Sequence, residues 1–215
     1  MSTLKNNIEA NFTLGMTAPE VLAEIVRINP IIKALFFHTY TPSKNVQESH
    51  LPFPLSRLLF HDASRENVIR LEREEIARVI ELKKEGKSPQ DGYFLMKDEV
   101  VGVISRIWVR NKILHIPLMD FCCECSPSNL EQVKEFLYEI GQKRGVILWS
   151  GRSYHYYGVD LLDEKDWLNF LGKSLLFSGY TDERYIGHRL LDGCGILRVS
   201  IGGLRSQMPT VVSIL

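Results

Sequence analysis

No apolar run in the 215-residue chain is long enough to span a bilayer. The opening MSTLKNNIEANF also lacks the apolar segment of a secretory signal. The expectation is therefore a cytoplasmic protein with no membrane partner. Net charge is missing as well, because 26 Lys and Arg balance 26 Asp and Glu. A dedicated, sequence-independent nucleic-acid binder normally carries a basic excess to neutralise phosphates, so neutrality weighs against one and leaves room only for a local basic groove. There are 4 cysteines. Cys122, Cys123 and Cys125 crowd together and Cys194 stands alone, which suits a reducing compartment better than a disulfide framework. Internal repeats and low-complexity tracts are absent.

What is present reads as one sizeable α/β (α+β mixed) unit, with a mixed sheet flanked by helices, behind a helical N-terminal part. The expected division is 1–60 for the helical region and 61–215 for the α/β domain. Thr17-Ala-Pro-Glu20 is a capping-box pattern with a helix-starting proline, and Val21, Leu22, Ile25 and Val26 follow at helical spacing. Residues 41–54 read as a loop. A charged helix is expected over 64–85 with Val68, Leu71, Ile76, Val79 and Ile80 inward, ended by Gly86.

From residue 93 the period shortens to that of strands, with turns near 97–99 and 110–112. Ser126 and Pro127 open a helix whose shared face is Leu130, Val133, Phe136, Leu137 and Ile140. Residues 146–149 read as a strand, and 163–177 as a helix with Trp167, Phe170, Leu171 and Leu175 inward. Residues 181–191 read as a short helix leading into the strand GILRVSI.

Three stretches carry residue types suited to chemistry. In PLMDFCCECSP, strand alternation would put Asp120, Cys122 and Glu124 on one face and Phe121, Cys123 and Cys125 on the other, core-facing one. Two carboxylates at a strand end just before a helix stand where α/β folds hold ligands. Equally, Asp120 could orient local backbone while the cysteines serve as small buried hydrophobes. Zinc is disfavoured, since adjacent cysteines on opposite faces cannot close a tetrahedron and no second pair has finger spacing.

In LWSGRSYHYYG, Ser150-Gly151 makes a turn that a ligand can approach closely. Arg152 adds a permanent forked cation, and His155 shares a face with Tyr157. The set suits a phosphate or triphosphate; a common Ser-Gly turn beside a structural histidine would also account for it. In YTDERYIGHRLLDGCGILRVS, Asp182 precedes a helix bearing Arg189, and Arg198 sits in an apolar strand, where burial would demand a carboxylate or a phosphate as partner. An aspartate at a helix N-terminus is otherwise routine.

In their order, these stretches resemble the archaeo-eukaryotic primase superfamily, the group of small primase subunits and primase-polymerases, and most of all its small stand-alone members. That family is marked by an Asp-x-Asp strand motif, then a helix, then a strand entering Ser-Gly-x-(x)-Gly-x-His, then an acid preceding an Arg-Leu element. Met119-Asp120-Phe121-Cys122, SGRSYH and Asp182 with His188-Arg189-Leu190 stand at those places, over about residues 93–201.

The resemblance implies a nucleotidyltransferase that binds a nucleoside triphosphate with Mg²⁺ or Mn²⁺ and extends a nucleic-acid strand on a DNA or RNA template. It implies catalytic roles for Asp120, His155 and Asp182. It also implies metal ligation by Asp120 and Asp182, with Glu124 as a further candidate, and nucleotide contacts from Ser150, Arg152, His155, Arg189 and Arg198. Cys122 replaces the second motif aspartate, a soft ligand where hard cations prefer oxygen, and Ser153 replaces the motif glycine. Asp160 is a second acid near the place assigned to Asp182. The alternative is a catalytically inactive primase-like module that binds nucleotide or nucleic acid.

Overall fold

The computed structural model describes residues 9–40, 68–84, 100–202 and 206–215. The expected loop at 41–54, the start of the charged helix before residue 68, its end at Gly86 and the strand and turn expected at 93–99 lie outside the described residues. Among the described residues, no helix is long and apolar enough to cross a membrane.

Helix α1 (Ala18–Ile28) begins as its capping box predicts: the Glu20 carboxylate accepts from the Thr17 N–H at 2.7 Å. Every α1 residue except Arg27 is buried, as expected of a helix surrounded by other elements. Strand β1 (Ala34–Tyr40) follows within the stretch expected to be helical.

The charged segment does not begin as a helix. Val68–Glu72 is strand β2, paired antiparallel with β1 from Ala34↔Glu72 to His38↔Val68. Its residues alternate about the sheet, with Val68 and Arg70 exposed and Leu71 buried. Helix α2 starts only at Arg73 (Arg73–Lys84), and the Arg73 guanidinium donates to the carbonyls of Arg27 in the last turn of α1 and of Asn29 and Ile32 just after it.

Next come β3 (Val100–Ile104), β4 (Arg106–Val109), β5 (Lys112–His115) and β6 (Leu118–Asp120), then α3 (Pro127–Glu139). After them run β7 (Gly145–Trp149), β8 (Tyr154–Gly158), β9 (Leu162–Asp163), α4 (Glu164–Leu175), α5 (Glu183–Asp192), β10 (Ile196–Arg198) and β11 (Thr210–Ile214). The expected sheet is divided into three antiparallel ones, ordered β10-β3-β1-β2, β11-β7-β8-β6 and β4-β5-β9.

Two cores flank the second sheet. The first brings Leu35, Phe37, Val101, Val103 and Leu197 of the first sheet, with α1, onto Leu118, Val146, Leu148 and Tyr157 of the second. Behind that sheet, Met119, Ile147, Tyr154 and Tyr156 meet Val133 and Leu137 of α3, Trp167, Phe170 and Leu171 of α4, and Ile186 of α5. All five β8 residues are therefore buried. Leu175, expected inward on α4, turns out instead and is 40% exposed. Ser174 takes the inward place, its hydroxyl donating to the Phe170 carbonyl. The stretch before α1 is sewn to the last strand: Gly15 N–H donates to Val211 O, Val211 N–H to Met16 O, and Ala18 N–H to Pro209 O.

His115 ties the small sheet to the helices. It is buried, its ring lies 4.3 Å from that of Trp167 in a stacked pair, and Nδ1 is 3.1 Å from Ser105 Oγ. Because Ser105 Oγ already accepts the Gly195 N–H, its own proton is available to Nδ1, which favours a neutral ring. Burial, and then the Arg106 charge, push the His115 pKa down to about 4. With the folded value below the unfolded one, unfolding takes up a proton between about pH 6.5 and 4. Stability should therefore be full above about pH 6.5 and fall toward pH 4, by on the order of 3 kcal/mol. Melting curves across that range check this, and His115→Phe should flatten the slope.

Candidate functional site

The ends of β6 and β7 and the start of β8 meet at one edge of the second sheet. Register pairs Leu118 with Tyr157, Met119 with Tyr156 and Asp120 with His155. Since directly opposed residues share a face, Asp120 and His155 both look toward the first core, and His155 Nε2 lies 3.4 Å from Asp120 Oδ1. The His155 side chain is 6% exposed, whereas the Asp120 side chain is 30% exposed and opens to solvent. Below them, the Tyr157 hydroxyl donates to the Arg198 carbonyl at 2.9 Å.

β6 stops at Asp120 because the chain is taken over by the segment before α5. Phe121 bridges Thr181, and Cys122 N–H donates to Tyr180 O at 2.7 Å. The expected alternation therefore holds only in part. Phe121 and Cys123 do enter the second core, but Cys125 is exposed, its thiol 3.5 Å from the Arg152 carbonyl. Glu124 is exposed past the strand end rather than stacked above Asp120 on a continuing strand.

The takeover brings Asp182 to the site. Its N–H donates to the Asp120 carbonyl at 3.1 Å, and its Oδ1 caps α5 by accepting the Tyr185 N–H at 2.9 Å. Cys122 lies within reach of both acids. Burial first, then the charges of Asp182 and Asp120, push its thiol above the usual range, which keeps it protonated at neutral pH.

The Ser150–Ser153 turn closes on itself, with Ser150 N–H donating to Ser153 O at 2.9 Å and Ser150 Oγ to the same carbonyl at 3.0 Å. Gly151 sits at φ 98°, and a side chain there would also press on Gln207 at 3.1 Å. Arg152, within this turn, is exposed.

Arg198 is brought to the turn but is turned onto the main chain. Its guanidinium donates to the carbonyls of Ser150, Ser200 (2.6 Å) and Gln207 (2.7 Å). Arg189 stands about 10 Å along α5 from Asp182, buried, ion-paired to Asp192 at 3.1 Å and over the Tyr185 ring. Asp160, the other acid considered, pairs with Arg144 at 2.9 Å beyond the far end of β8. The clamp through Gln207 had no sequence signal, since its carbonyl, not its side chain, makes the bond.

Asp120, His155, Asp182 and the Ser150–Ser153 turn thus converge, and they do so in the order acid, Ser-Gly turn with histidine, acid. A family model described as AEP-like, archaeo-eukaryotic primase 1D-like, matches residues 88–208, more than half of the chain. The chain belongs to this primase-like family. No curated protein and no solved structure matches it. The primase-like span contains every residue of the site, while α1, β1, β2 and α2 precede it.

Primase-like proteins are associated with two divalent ions. Among the described residues, no group of three or more His, Cys, Asp or Glu is arranged to hold a metal ion. The two carboxylates suit a single hard cation, since Mg²⁺ commonly takes one or two carboxylates and completes its shell with water and substrate phosphates. For a second ion the third position offers Cys122, a protonated, soft donor.

Proposed function

We propose that this primase-like domain binds a nucleoside triphosphate at the shared edge of β6, β7 and β8 and serves nucleotidyl transfer to a nucleic-acid strand. The observation that carries the reading is the convergence of Asp120, His155 and Asp182 beside the Ser150–Ser153 turn. In this reading Asp120 and Asp182 hold one Mg²⁺ or Mn²⁺, which when bound neutralises triphosphate charge. Arg152 and the Ser150 turn meet the phosphates, and His155, buried beside Asp120, orients the carboxylate. Arg198 acts from behind, by holding the turn.

A second reading, a module that binds nucleotide or nucleic acid without transfer, is favoured by Cys122 and by the zero net charge. Calorimetric titration of a nucleoside triphosphate with Mn²⁺ and with EDTA, followed by primer extension, tests both. Binding that needs Mn²⁺, with extension products, supports transfer; Mn²⁺-dependent binding with no product under any condition supports the binding module. Cys122→Asp restores a third hard donor and should tighten Mn²⁺-dependent binding roughly severalfold. Weaker binding in that variant would mean that the thiol is itself required.

A further inference from the structure

Between Glu99 and Asp120 the sequence carries no acidic residue, but it does carry Arg106, Arg110 and Lys112, with Trp108 among them. In a chain of zero net charge this is a local basic excess. The structure folds it into the β4–β5 hairpin, with Trp108 opposite Ile113, Arg106 opposite His115, and Arg110 and Lys112 exposed at the turn.

Trp108 is 51% exposed, although among the described residues most large hydrophobic side chains are buried. It is nonetheless fixed. Its ring meets Phe36 edge to face, with centroids 4.9 Å apart, and the Arg106 guanidinium lies 5.8 Å from its centroid. Arg106 is in turn held by the Gly193 carbonyl at 2.6 Å. Across β1, Arg70 pairs with Phe36 in register and carries an ion pair to Glu72.

An exposed indole held in place by neighbours gives up little conformational freedom when something stacks on it. The exposed Arg110 two residues on, and the Arg106 guanidinium over the ring, favour a polyanion over an apolar protein face. Bases offer flat faces for stacking when the strand is single, not when they are stacked within a duplex.

We propose that the Trp108 face of the β4–β5 hairpin is a stacking platform for single-stranded nucleic acid. Trp108 receives a base, Arg110 at the turn meets a flanking phosphate, and Phe36 and Arg106 hold the indole. The platform is separate from the triphosphate site and does not depend on it. It lies beyond the Gly193 end of α5, whereas Asp182 is at the other end, about 15 Å away along the helix.

The test is fluorescence anisotropy of a labelled 20-residue oligothymidylate at low salt, on the full chain and on Trp108→Ala, Trp108→Phe and Arg110→Glu. Trp108→Ala should weaken binding roughly tenfold and Trp108→Phe should recover most of it, because a phenyl ring still stacks. Arg110→Glu should weaken binding and flatten its dependence on salt.

Triphosphate binding, measured on the same samples, should be unchanged in Trp108→Ala. Because Trp108 is half exposed, melting curves should confirm that the variants stay folded. Oligonucleotide affinity within twofold of the parent in Trp108→Ala, or no oligonucleotide binding by the parent, overturns the platform. Loss of triphosphate binding in Trp108→Ala would overturn the separateness of the platform, whereas no triphosphate binding by the parent with a Trp108-dependent oligonucleotide interaction would overturn the function proposed above and leave the platform standing.

Discussion

Asp120→Asn should cost the protein its Mn²⁺-dependent affinity for a nucleoside triphosphate, by at least about tenfold, while leaving the fold standing. The substitution keeps the shape and a hydrogen-bonding oxygen but removes the charge, and the backbone role of residue 120 is unaffected. The Asp182 N–H still finds the carbonyl at position 120, and β6 still pairs with β8. What goes is the anion that faces His155 at 3.4 Å and opens to solvent. Titration calorimetry with Mn²⁺ and with EDTA reads the loss, and a melting curve reads the fold. Unchanged affinity would remove Asp120 from the metal site. A collapse in Tm alongside the lost binding would mark the carboxylate as structural, and the assignment would fail in that form.

Arg198→Met should be the most destabilising of the site substitutions, by about 3 kcal/mol. The buried guanidinium satisfies three main-chain carbonyls at once, those of Ser150, Ser200 and Gln207, and methionine fills its volume while leaving all three short of a donor. For a chain of this size that corresponds to a fall in Tm of roughly 6–12 °C. Arg198→Lys should recover only part, because one ammonium cannot reproduce the fork that reaches three acceptors. A Tm within about 2 °C of the parent for Arg198→Met would show that the clamp is dispensable. If the clamp holds the turn, triphosphate affinity should drop in Arg198→Met in step with the stability.

The two residues show what a sequence can and cannot disclose about this site. Asp120, His155 and Asp182 were legible because strand alternation and helix capping are local rules, and their order along the chain resembled a family pattern. Arg198 was legible as a buried cation needing partners, but those partners are carbonyls, which every residue possesses and none advertises. The wrong secondary structure before α2 has a similar cause. Val68 and Leu71 fit a helical stripe as well as a strand, and only the free edge of β1, a distant element, decides between them. Glu124 was placed on the face of Asp120 by extending β6. The strand ends instead because Tyr180 and Thr181, some sixty residues on, claim the next main-chain groups.

The stitching of the stretch before α1 onto β11 governs how such a chain can assemble. The β7–β8 hairpin, closed by the Ser150–Ser153 turn, needs only neighbours in sequence and forms on the timescale of microseconds. β11 can add to β7 only after a long excursion, and residues 15–18 can pair with 209–211 only when the roughly 190 residues between them are in hand. Loop closure over such distances costs entropy that grows slowly with length, so the penalty falls on speed more than on stability. The Ser150 turn thus rests on local contacts, whereas its clamp by Arg198 needs β10 and the Gln207 segment. The turn can form early, but the clamp that fixes it closes only after β10 and the segment before β11 have docked.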